Sequence, residues 1–338
     1  MTLPVHGLVV GRFLPPHAGH HALIEAARER CRRLTVVVLA DADDRLALGA
    51  RRLALAEMHP EARILAASIS PAFALAAPAD DLVRRVRELA SEPVDVLFTG
   101  EAAGGELARR LDAAHVVLPR DPPLAALASR EVRRDPAAYW SRLAPAVRAE
   151  LARRVVVTGS ESTGKTTLAA RLAARYRTIW VPEFGRDLTV VKQQRTVPPE
   201  PWQPADFSWI AAEQERQTNE AARRSGPLVV ADTDAIATQV WEERYLERAS
   251  HATERIAAAS RGDLYLLALP DVPWIADGVR DGDQELRHWM TDRIRSIVAA
   301  RGALLVELAG SWAERECAAV AACDALLVRG WRLSSSAS

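Results

Sequence analysis

A glycine-rich segment in the middle of the chain constrains the fold more than any other feature. Residues 159–166 read GSESTGKT and match the pattern G-x-x-x-x-G-K-[ST]. An apolar run at 155–157 directly precedes them, and a helix-forming run at 168–175 follows. In such a strand-loop-helix unit the glycines let backbone N–H groups surround phosphates, and the start of the helix adds a positive field. The segment therefore predicts a P-loop in a parallel α/β domain.

The side chains of this P-loop have expected roles in binding ATP. Lys165 would reach the outer phosphates, and Thr166 would hold Mg²⁺. Lysine occurs only at Lys165 and Lys192 in a chain with 44 basic residues, which indicates that position 165 needs a compact ammonium group. The other residues that we expect at the phosphates are Gly159, Ser160, Glu161, Ser162, Thr163, Gly164 and Thr167.

Apolar runs alternate with helix-length segments on both sides of the P-loop. In the first half they lie at 6–11, 34–40, 63–67, 94–99 and 115–118, and in the second half at 154–158, 178–181, 228–231, 264–268 and 304–308. They lack alternating polarity, as parallel strands that are buried on both faces do. With 338 residues, the chain has room for two cores. We therefore predict an α/β protein of two doubly wound parallel-sheet domains.

The domain boundary is expected near residue 150. The polar stretch at 134–153 carries Pro136 and Pro145 and has no strand signal. We assign 1–150 to the first domain, 151–332 to the second and 333–338 to a disordered tail. The stretch with Pro198, Pro199, Pro201 and Pro204 is expected to be a surface loop over a site.

Charged residues follow two strands of the second domain. Asp232 and Asp234 come after the strand at 228–231. Asp232 is the expected metal ligand beside Thr166, and Asp234 has the alternative role of a helix N-cap. Glu183, Arg186 and Asp187 follow the strand at 178–181, at the rim where an acceptor binds. Glu183 or Asp187 would deprotonate an attacking hydroxyl and Arg186 would contact the substrate; a surface ion pair is the alternative.

Residues 273–287 have the composition of a lid. They mix Trp274 and Asp277 with Arg280, Gly278 and Gly282. We expect Arg280 to neutralise the transferring phosphate, Trp274 to stack on a planar ring and Asp277 to contact the substrate. Packing in a core is the alternative for Trp274.

Two histidines follow the first strand, in the segment GRFLPPHAGH at 11–20. His17 and His20 are three residues apart at the start of a helix, so both rings can face one phosphate. Gly19 allows close approach of the ligand to the backbone. Purely structural histidines are one alternative, and a metal site is another, although no further ligand lies nearby in sequence.

Further residues of the first domain complete this expected ATP site. Gly11 and Phe13 belong to the same segment as the histidines. Ser129 and Arg133, four residues apart at a second predicted helix start, form another anion site. A capped surface helix with an ordinary arginine is the alternative.

Bulk properties indicate small-molecule ligands. The chain has 44 acidic and 44 basic residues, so its charge does not call for nucleic acid or a membrane surface. It has no signal-peptide pattern and no apolar run of about 20 residues, so we expect a soluble cytoplasmic protein. The oligomeric state is left open.

The order of these motifs resembles the NadR-type bifunctional proteins, which join a nicotinamide mononucleotide adenylyltransferase to a ribosylnicotinamide kinase. Residues 11–20 are similar to the signature G-x-F-x-P-x-H-x-G-H, and 128–133 to the second signature, S-x-T-x-I-R. Residues 183–187, 232–234 with 238–239, and 273–280 resemble motifs of the kinase half. Ala128 and Arg130 depart from the second signature, and 70–85 contains Phe73 but no tryptophan. The first strand begins close to Met1, so an N-terminal helix-turn-helix domain and DNA-binding regulation are not expected.

The resemblance implies a Rossmann-like nucleotidyltransferase domain followed by a P-loop kinase domain. With Mg²⁺, the second would transfer the γ-phosphate of ATP to the 5′-hydroxyl of ribosylnicotinamide. The first would let the mononucleotide attack the α-phosphate of ATP, giving NAD and pyrophosphate, with His17, His20 and Arg133 stabilising charge on the phosphates. Two alternatives remain: a ribosylnicotinamide kinase whose first domain only senses nucleotide, and a P-loop switch without a phosphoryl acceptor.

Overall fold

A computed structural model describes residues 3–41, 44–69, 78–118, 129–195, 200–271, 283–331 and 333, with side chains 193–195 excepted. The chain divides into two compact units. The first contains the described residues up to Glu150 together with Gly330, Trp331 and Leu333, and the second is Leu151–Arg329. Each unit has its own five-stranded parallel sheet, so the predicted α/β class is confirmed.

The first sheet has the strand order β3-β2-β1-β4-β5, which matches the first five strands of the Rossmann order 3-2-1-4-5-6. Its strands are β1 His6–Gly11, β2 Arg33–Ala40, β3 Arg63–Ser68, β4 Val96–Thr99 and β5 Ala114–Val117. The strand order reverses at β1, which pairs with both β2 and β4. Ligands bind outside the carboxyl ends of parallel strands at such a reversal. The segment that follows β1 is therefore placed at the edge where a site is expected.

Helices cover both faces of this sheet. The described helices of the first unit are Ala18–Arg28, Leu48–Met58, Asp80–Ala90, Gly105–Arg110, Ser129–Arg134 and Pro145–Leu151, with short 3₁₀ turns at Ala102–Gly104 and Trp140–Arg142. Leu8 packs with Val86 on one face, and Val9 packs with Ile24 on the other. Neighbouring strand residues are thus all buried, which explains why the strands show no alternating polarity.

The second sheet has the order β10-β9-β6-β8-β7 and is also parallel. Its strands are β6 Arg153–Thr158, β7 Trp180–Val181, β8 Leu228–Asp232, β9 Leu264–Ala268 and β10 Leu305–Leu308. The central strand β6 leads into the P-loop segment. All ten predicted strands are present, with ends that differ from the prediction by at most two residues.

The second unit contains the longest described helices. They are Lys165–Arg175, Phe184–Arg195, Pro204–Arg224, Ala235–Leu246, His251–Ala259, Gln284–Ala300 and Trp312–Val328. Pro204 was expected in a surface loop, but it begins a 21-residue helix. Proline suits the first helical position because its N–H would have no partner there. In the described part of the chain, no helix combines the length and apolar character needed to cross a membrane.

The C-terminal end of the described chain returns to the first unit. The sequence predicts that the second domain extends to residue 332 and that 333–338 form a disordered tail, but Gly330, Trp331 and Leu333 belong to the first unit. Trp331 packs its ring against Trp140, with centroids 5.8 Å apart. Leu333 is buried, and its carbonyl accepts a hydrogen bond from the Arg45 N–H at 2.9 Å. Apolar burial places these residues with the first core, which their position in the sequence could not reveal.

Candidate functional site

The P-loop of the second unit needs glycine at both ends. Gly159 has a φ of +139°, and a Cβ there would lie 2.5 Å from the Ala268 carbonyl oxygen. Gly164 has a φ of +83°, and a Cβ there would lie 2.9 Å from the Trp312 ring. Other residues rarely adopt these conformations and would also collide with their neighbours. The loop that joins β6 to the helix at Lys165 therefore takes the close backbone path that a phosphate site requires.

Side chains of the P-loop make a tight internal network. Lys165 is largely buried, and its Nζ donates to the Ser160 carbonyl at 2.6 Å. Thr163 Oγ1 donates to the same carbonyl at 2.9 Å. Of the other predicted phosphate contacts, Ser162 is half-buried and Thr167 is exposed. The Glu161 side chain is buried and turns to Arg244, 3.3 Å away, so its carboxylate does not serve as a phosphate contact.

Asp232 lies against the start of the P-loop helix. Its Oδ2 accepts a hydrogen bond from Thr166 Oγ1 at 2.6 Å. Its Oδ1 is buried and has no hydrogen-bond partner within the described residues. Burial, followed by the nearby charge of Glu183, raises the pKa of Asp232 to about 6, while Lys165 opposes the shift. An electron-rich buried oxygen beside a hydroxyl matches the ligands that Mg²⁺ takes beside a bound nucleotide.

The donor set fits Mg²⁺ better than a metal held by protein alone. The described residues contain no group of three or more His, Cys, Asp or Glu side chains that could bind a metal. Mg²⁺ in phosphoryl-transfer sites takes one or two protein oxygens and completes its shell with phosphate and water. Thr166 and Asp232 supply such a pair.

Three consecutive residues at the carboxyl end of β8, beginning with its last residue, face three different environments. Asp232 reaches the P-loop, as described above. Thr233 adopts a left-handed φ of +75° and lines a cavity. Asp234 is the N-cap of the helix Ala235–Leu246, accepts hydrogen bonds from the N–H groups of Ile236 and Ala237, and also accepts one from the Tyr265 hydroxyl at 3.0 Å. Asp234 is therefore held in a structural role, the alternative that the sequence had left open.

An aromatic cavity opens beside Glu183 in the second unit. Its volume is about 440 Å³, including the solvent open to it. We call it the aromatic cavity; its described lining is Glu183, Gly185, Thr189, Trp202, Phe207, Ile210, Thr233, Thr238, Trp241 and Tyr245. The rings pack on one another, with centroids 5.1 Å apart for Trp202 and Phe207 and 6.0 Å apart for Trp241 and Tyr245. Four aromatic rings thus surround a space that also offers hydroxyl groups and one carboxylate.

Sequence reasoning missed this cluster of rings. Trp202 and Phe207 lie near the proline-rich stretch, whereas Trp241 and Tyr245 are four residues apart on the helix that Asp234 caps. Only the spacing of the last two was a signal, because side chains at i and i+4 lie on one face of a helix.

The three charged residues after β7 are not equivalent. Glu183 is buried and lines the aromatic cavity. Arg186 is exposed, with its Nε 3.9 Å from a carboxylate oxygen of Glu183. Asp187 is exposed in the first turn of the helix Phe184–Arg195 and is absent from the described cavity lining. The geometry therefore favours Glu183 over Asp187 as the group that meets an acceptor.

Part of the predicted site lies outside the described residues. Trp274, Asp277 and Arg280, the three lid residues, fall in 272–282, which the structure does not describe. Ala128 and Phe73 are also outside the described ranges.

In the first unit the two predicted anion sites come together. His17 Nε2 lies 3.0 Å from Ser129 Oγ, and His20 Nε2 lies 3.3 Å from the same oxygen. The two imidazole rings are 3.8 Å apart. His17 is the N-cap of the helix Ala18–Arg28, and its Nδ1 accepts the Gly19 N–H at 3.1 Å. The Ser129 hydroxyl thus aligns both imidazole rings. In sequence, Ser129 lies 112 residues after His17 and 109 residues after His20.

Phe13 packs against the His20 ring of this histidine pair. It is buried with a left-handed φ of +48°, and its ring meets His20 edge to face at 5.0 Å. A Cβ at Gly11 would lie 3.2 Å from the Phe13 ring. The Gly19 N–H is bound by His17, so Gly19 orders the histidine pair. Gly11 and Phe13 likewise shape the site by packing.

A cluster of one buried and two half-buried arginines lies next to the segment after β1, and sequence reasoning missed most of it. Arg51 is fully buried, with its Nη1 3.0 Å from Asp44, and Arg12 pairs with the same carboxylate. Arg51 Nε and Nη2 are buried with no hydrogen-bond partner within the described ranges. Burial lowers the pKa of Arg133, and the nearby positive charge of Arg12 adds to the effect. The positive charges of Arg12, Arg51 and Arg133 thus lie near one another and near Asp44, and this excess of arginine suits an anionic ligand.

A second histidine pair links two helices of this unit. His21 Nδ1 lies 2.9 Å from His59 Nε2, and both side chains are buried. Burial, with a smaller effect of His59, lowers the pKa of His21 to about 4 from 6.5. A base whose pKa is lower in the folded state stabilises the fold above its unfolded pKa, and this stability is lost as the pH falls through the folded pKa.

We predict that acid weakens the first unit through His21. Between about pH 6.5 and about pH 4, the unfolded chain takes up a proton that the native His21 does not. The free energy of unfolding should therefore fall over this range by up to about 3 kcal/mol. The His21→Gln variant, which can still hydrogen-bond His59, should show a shallower decline. The pH dependence of the free energy of unfolding can be measured by urea denaturation at several pH values, followed by hydrogen exchange in peptides from β1 and β2.

The exposed His251 provides the control for this experiment. The His251→Gln variant should keep the wild-type pH dependence, because His251 is exposed and lies in the other unit. An equal slope in His21→Gln and the wild type would show that His21 does not carry the effect.

Comparisons with known proteins agree with this geometry. A family model described as an AAA domain matches residues 154–315, the segment that includes the P-loop. The trifunctional NAD biosynthesis/regulator protein NadR of Escherichia coli (strain K12) is 27% identical over 187 residues, covering 55% of this chain and 45% of that protein. Its counterpart in Salmonella typhimurium (strain LT2) is 29% identical over 154 residues, covering 46% and 37%. The matches thus span less than half of the length of these curated relatives.

Two solved structures are similar over nearly the whole chain. A NadR protein in complex with NR has a TM-score of 0.75 at 24% identity and covers 99% of both chains. A NadR protein in complex with NAD and AMP-PNP has a TM-score of 0.72 at 23% identity and covers 98% of both. They show that the fold is shared across both halves, and the resemblance to NadR-type proteins that the motifs indicated is confirmed.

Proposed function

We propose that this chain is a bifunctional enzyme of NAD salvage, with a ribosylnicotinamide kinase in its second unit and a nicotinamide mononucleotide adenylyltransferase in its first. The names of the NadR relatives connect chains of this kind with NAD biosynthesis, and NR and AMP-PNP bound to similar structures denote a nucleoside and an ATP analogue. The observation that carries the kinase proposal is the position of Glu183, whose carboxylate is near Asp232 of the P-loop site and lines the aromatic cavity.

In the kinase step an acceptor hydroxyl attacks the γ-phosphorus of ATP. The bond from that phosphorus to the β,γ-bridging oxygen breaks, and ADP leaves with the bridging oxygen. Glu183 accepts the hydroxyl proton, while Lys165 stabilises the negative charge of the outer phosphates. Thr166 and Asp232 would hold Mg²⁺, which neutralises phosphate charge when it is bound. Arg186, at the rim beside Glu183, would contact the acceptor.

The aromatic cavity suits the nicotinamide ring of this acceptor, which lies at the opposite end from the 5′-hydroxyl. The nicotinamide ring of ribosylnicotinamide is planar and carries a positive charge, and aromatic faces attract such cations. Trp202, Phe207, Trp241 and Tyr245 supply these faces. The hydroxyl groups of Thr189 and Thr233 in the same lining can bind the ribose. The ribose 5′-hydroxyl would then point toward Glu183.

In the adenylyl step a phosphate oxygen of the mononucleotide attacks the α-phosphorus of ATP. The bond from that phosphorus to the α,β-bridging oxygen breaks, and pyrophosphate leaves without a covalent intermediate. His17 and His20, aligned by Ser129, donate hydrogen bonds to the phosphates, and Arg133 adds positive charge. Arg12 and Arg51, which the structure adds to the predicted set, increase the positive potential there.

Product analysis tests both halves together. Purified protein is incubated with ATP, Mg²⁺ and ribosylnicotinamide, and the products are separated by chromatography. We expect nicotinamide mononucleotide first and then NAD with pyrophosphate. Accumulation of the mononucleotide alone would mean that only the kinase is active and that the first unit acts as a nucleotide sensor. Formation of ADP without either product would favour a P-loop switch.

A further inference from the structure

The phosphate-binding loop carries a buried acid. Glu161 is fully buried within the P-loop, in a loop whose ligand is itself negatively charged. One carboxylate oxygen lies 3.3 Å from Arg244 Nη1, and the other is buried with no hydrogen-bond partner in the described part of the chain. A buried carboxylate is costly unless a positive group compensates it. Arg244 contacts Glu161 directly and its own side chain is only 10% exposed, and the buried Arg287 adds a further positive charge that acts on Glu161.

The same guanidinium covers two rings of the aromatic cavity. Arg244 lies over the Trp241 ring at 4.9 Å and over the Tyr245 ring at 5.4 Å. These two rings are nearly parallel to each other, with an interplanar angle of 20°. Cation–π contacts of this kind are attractive, and they are stronger when they are shielded from water. One side chain therefore joins the P-loop to one wall of the cavity.

We propose that Arg244 is a positioning residue that couples the two substrate sites of the kinase, so that ATP and the acceptor nucleoside strengthen each other's binding. This proposal rests on the kinase function proposed above. A triphosphate in the loop repels Glu161 and increases the demand for Arg244 as its compensating charge. Arg244 is then held more firmly at Glu161 and on the Trp241 and Tyr245 rings, which orders the cavity wall for the acceptor. Because coupling between two sites is reciprocal, acceptor binding must favour ATP by the same factor.

Calorimetry with AMP-PNP and Mg²⁺ tests the coupling without turnover. We expect saturating AMP-PNP to tighten ribosylnicotinamide binding to the wild-type protein by about 5-fold or more. In Arg244→Gln, which cannot compensate Glu161, the two Kd values with and without AMP-PNP should agree within about 2-fold. In steady-state assays of that variant, KM for ribosylnicotinamide at saturating ATP should rise while kcat changes much less. Arg244→Lys, which keeps the charge, should recover part of the coupling.

Arg293 offers a matched control on a neighbouring ion pair. It binds Glu243, the residue before Arg244 on the same helix, through two contacts of 2.7 and 2.9 Å. Arg293→Gln should keep the wild-type coupling. If Arg244→Gln does not fold, Glu161→Gln removes the negative charge that Arg244 compensates and should also abolish the coupling.

The outcomes separate this inference from the proposed function. Wild-type coupling that survives in Arg244→Gln or in Glu161→Gln overturns the inference, and so does a wild-type protein that phosphorylates ribosylnicotinamide but shows no coupling. In both of these cases the kinase function stands. A wild-type protein that neither binds nor phosphorylates ribosylnicotinamide removes the proposed function and this inference together.

Discussion

The Lys165→Ala variant is expected to lose ribosylnicotinamide phosphorylation by a factor of about 10² to 10³, while it still converts added nicotinamide mononucleotide and ATP to NAD. Lys165 is largely buried at the start of the P-loop helix, and its ammonium bonds across the loop to the Ser160 carbonyl. In the proposed mechanism it stabilises the charge of the outer phosphates. The proposed mononucleotide step would use residues of the other unit and would need no lysine. Separate assays of the two steps, each with its own substrate, measure the difference.

A second variant tests whether this position needs an ammonium group. Lys165→Arg keeps the positive charge but brings a larger planar group to a buried position beside Thr163 and Ser160, so we expect it to recover little activity. Arg175→Ala, which removes an exposed cation from the last turn of the same helix, should retain both activities. If a folded Lys165→Ala protein lost NAD formation from added mononucleotide as well, the proposed division of labour between the units would be wrong.

The His20→Ala variant should show the opposite pattern, with adenylyl transfer reduced by about 10²-fold or more and the kinase spared. His20 shares the Ser129 hydroxyl with His17, and this arrangement holds both rings for hydrogen bonding to phosphate. The substitution removes the His20 imidazole, which is one of the two hydrogen-bond donors. It also removes the edge-to-face contact between the His20 and Phe13 rings. Nicotinamide mononucleotide should therefore accumulate from ribosylnicotinamide and ATP, and chromatography of a time course detects it.

The control for the His20 variant is a histidine away from the first unit. His251→Ala removes an exposed imidazole at the first position of a helix in the second unit, and both activities should persist. Loss of mononucleotide formation in a folded His20→Ala protein would contradict the assignment. An unchanged rate of NAD synthesis would instead remove His20 from the adenylyl step.

Much of the fold was predictable from local patterns. Continuous apolar runs separated by helix-length segments located all ten strands, because strands that are buried on both faces must be apolar along their whole length. The strand orders were not predictable, since they depend on which strand ends meet in space. The helix at Pro204 was missed because proline marks both loops and first helical positions.

The candidate sites divide in the same way. Residues close together in sequence, such as Lys165 and Thr166 or His17 and His20, were found because one loop or one helical turn holds them together. The pairing of Thr166 with Asp232 was anticipated only because β6 and β8 both end at the same edge of a parallel sheet. The Asp44–Arg51 pair had no such signal, and in the aromatic cavity only the spacing of Trp241 and Tyr245 on one helix provided one.

The P-loop, the histidine segment and the alternation of strands and helices were determined by the sequence itself, because each depends on backbone conformations and periodicities that neighbouring residues set. The tertiary structure decided which side chains share an environment. It separated Asp232, which accepts a hydrogen bond from Thr166 of the P-loop, from Asp234, which caps a helix. It also paired Glu161 with Arg244, whose guanidinium lies over the Trp241 ring of the aromatic cavity. These outcomes depend on burial and on distances between groups far apart in the chain, which only packing establishes.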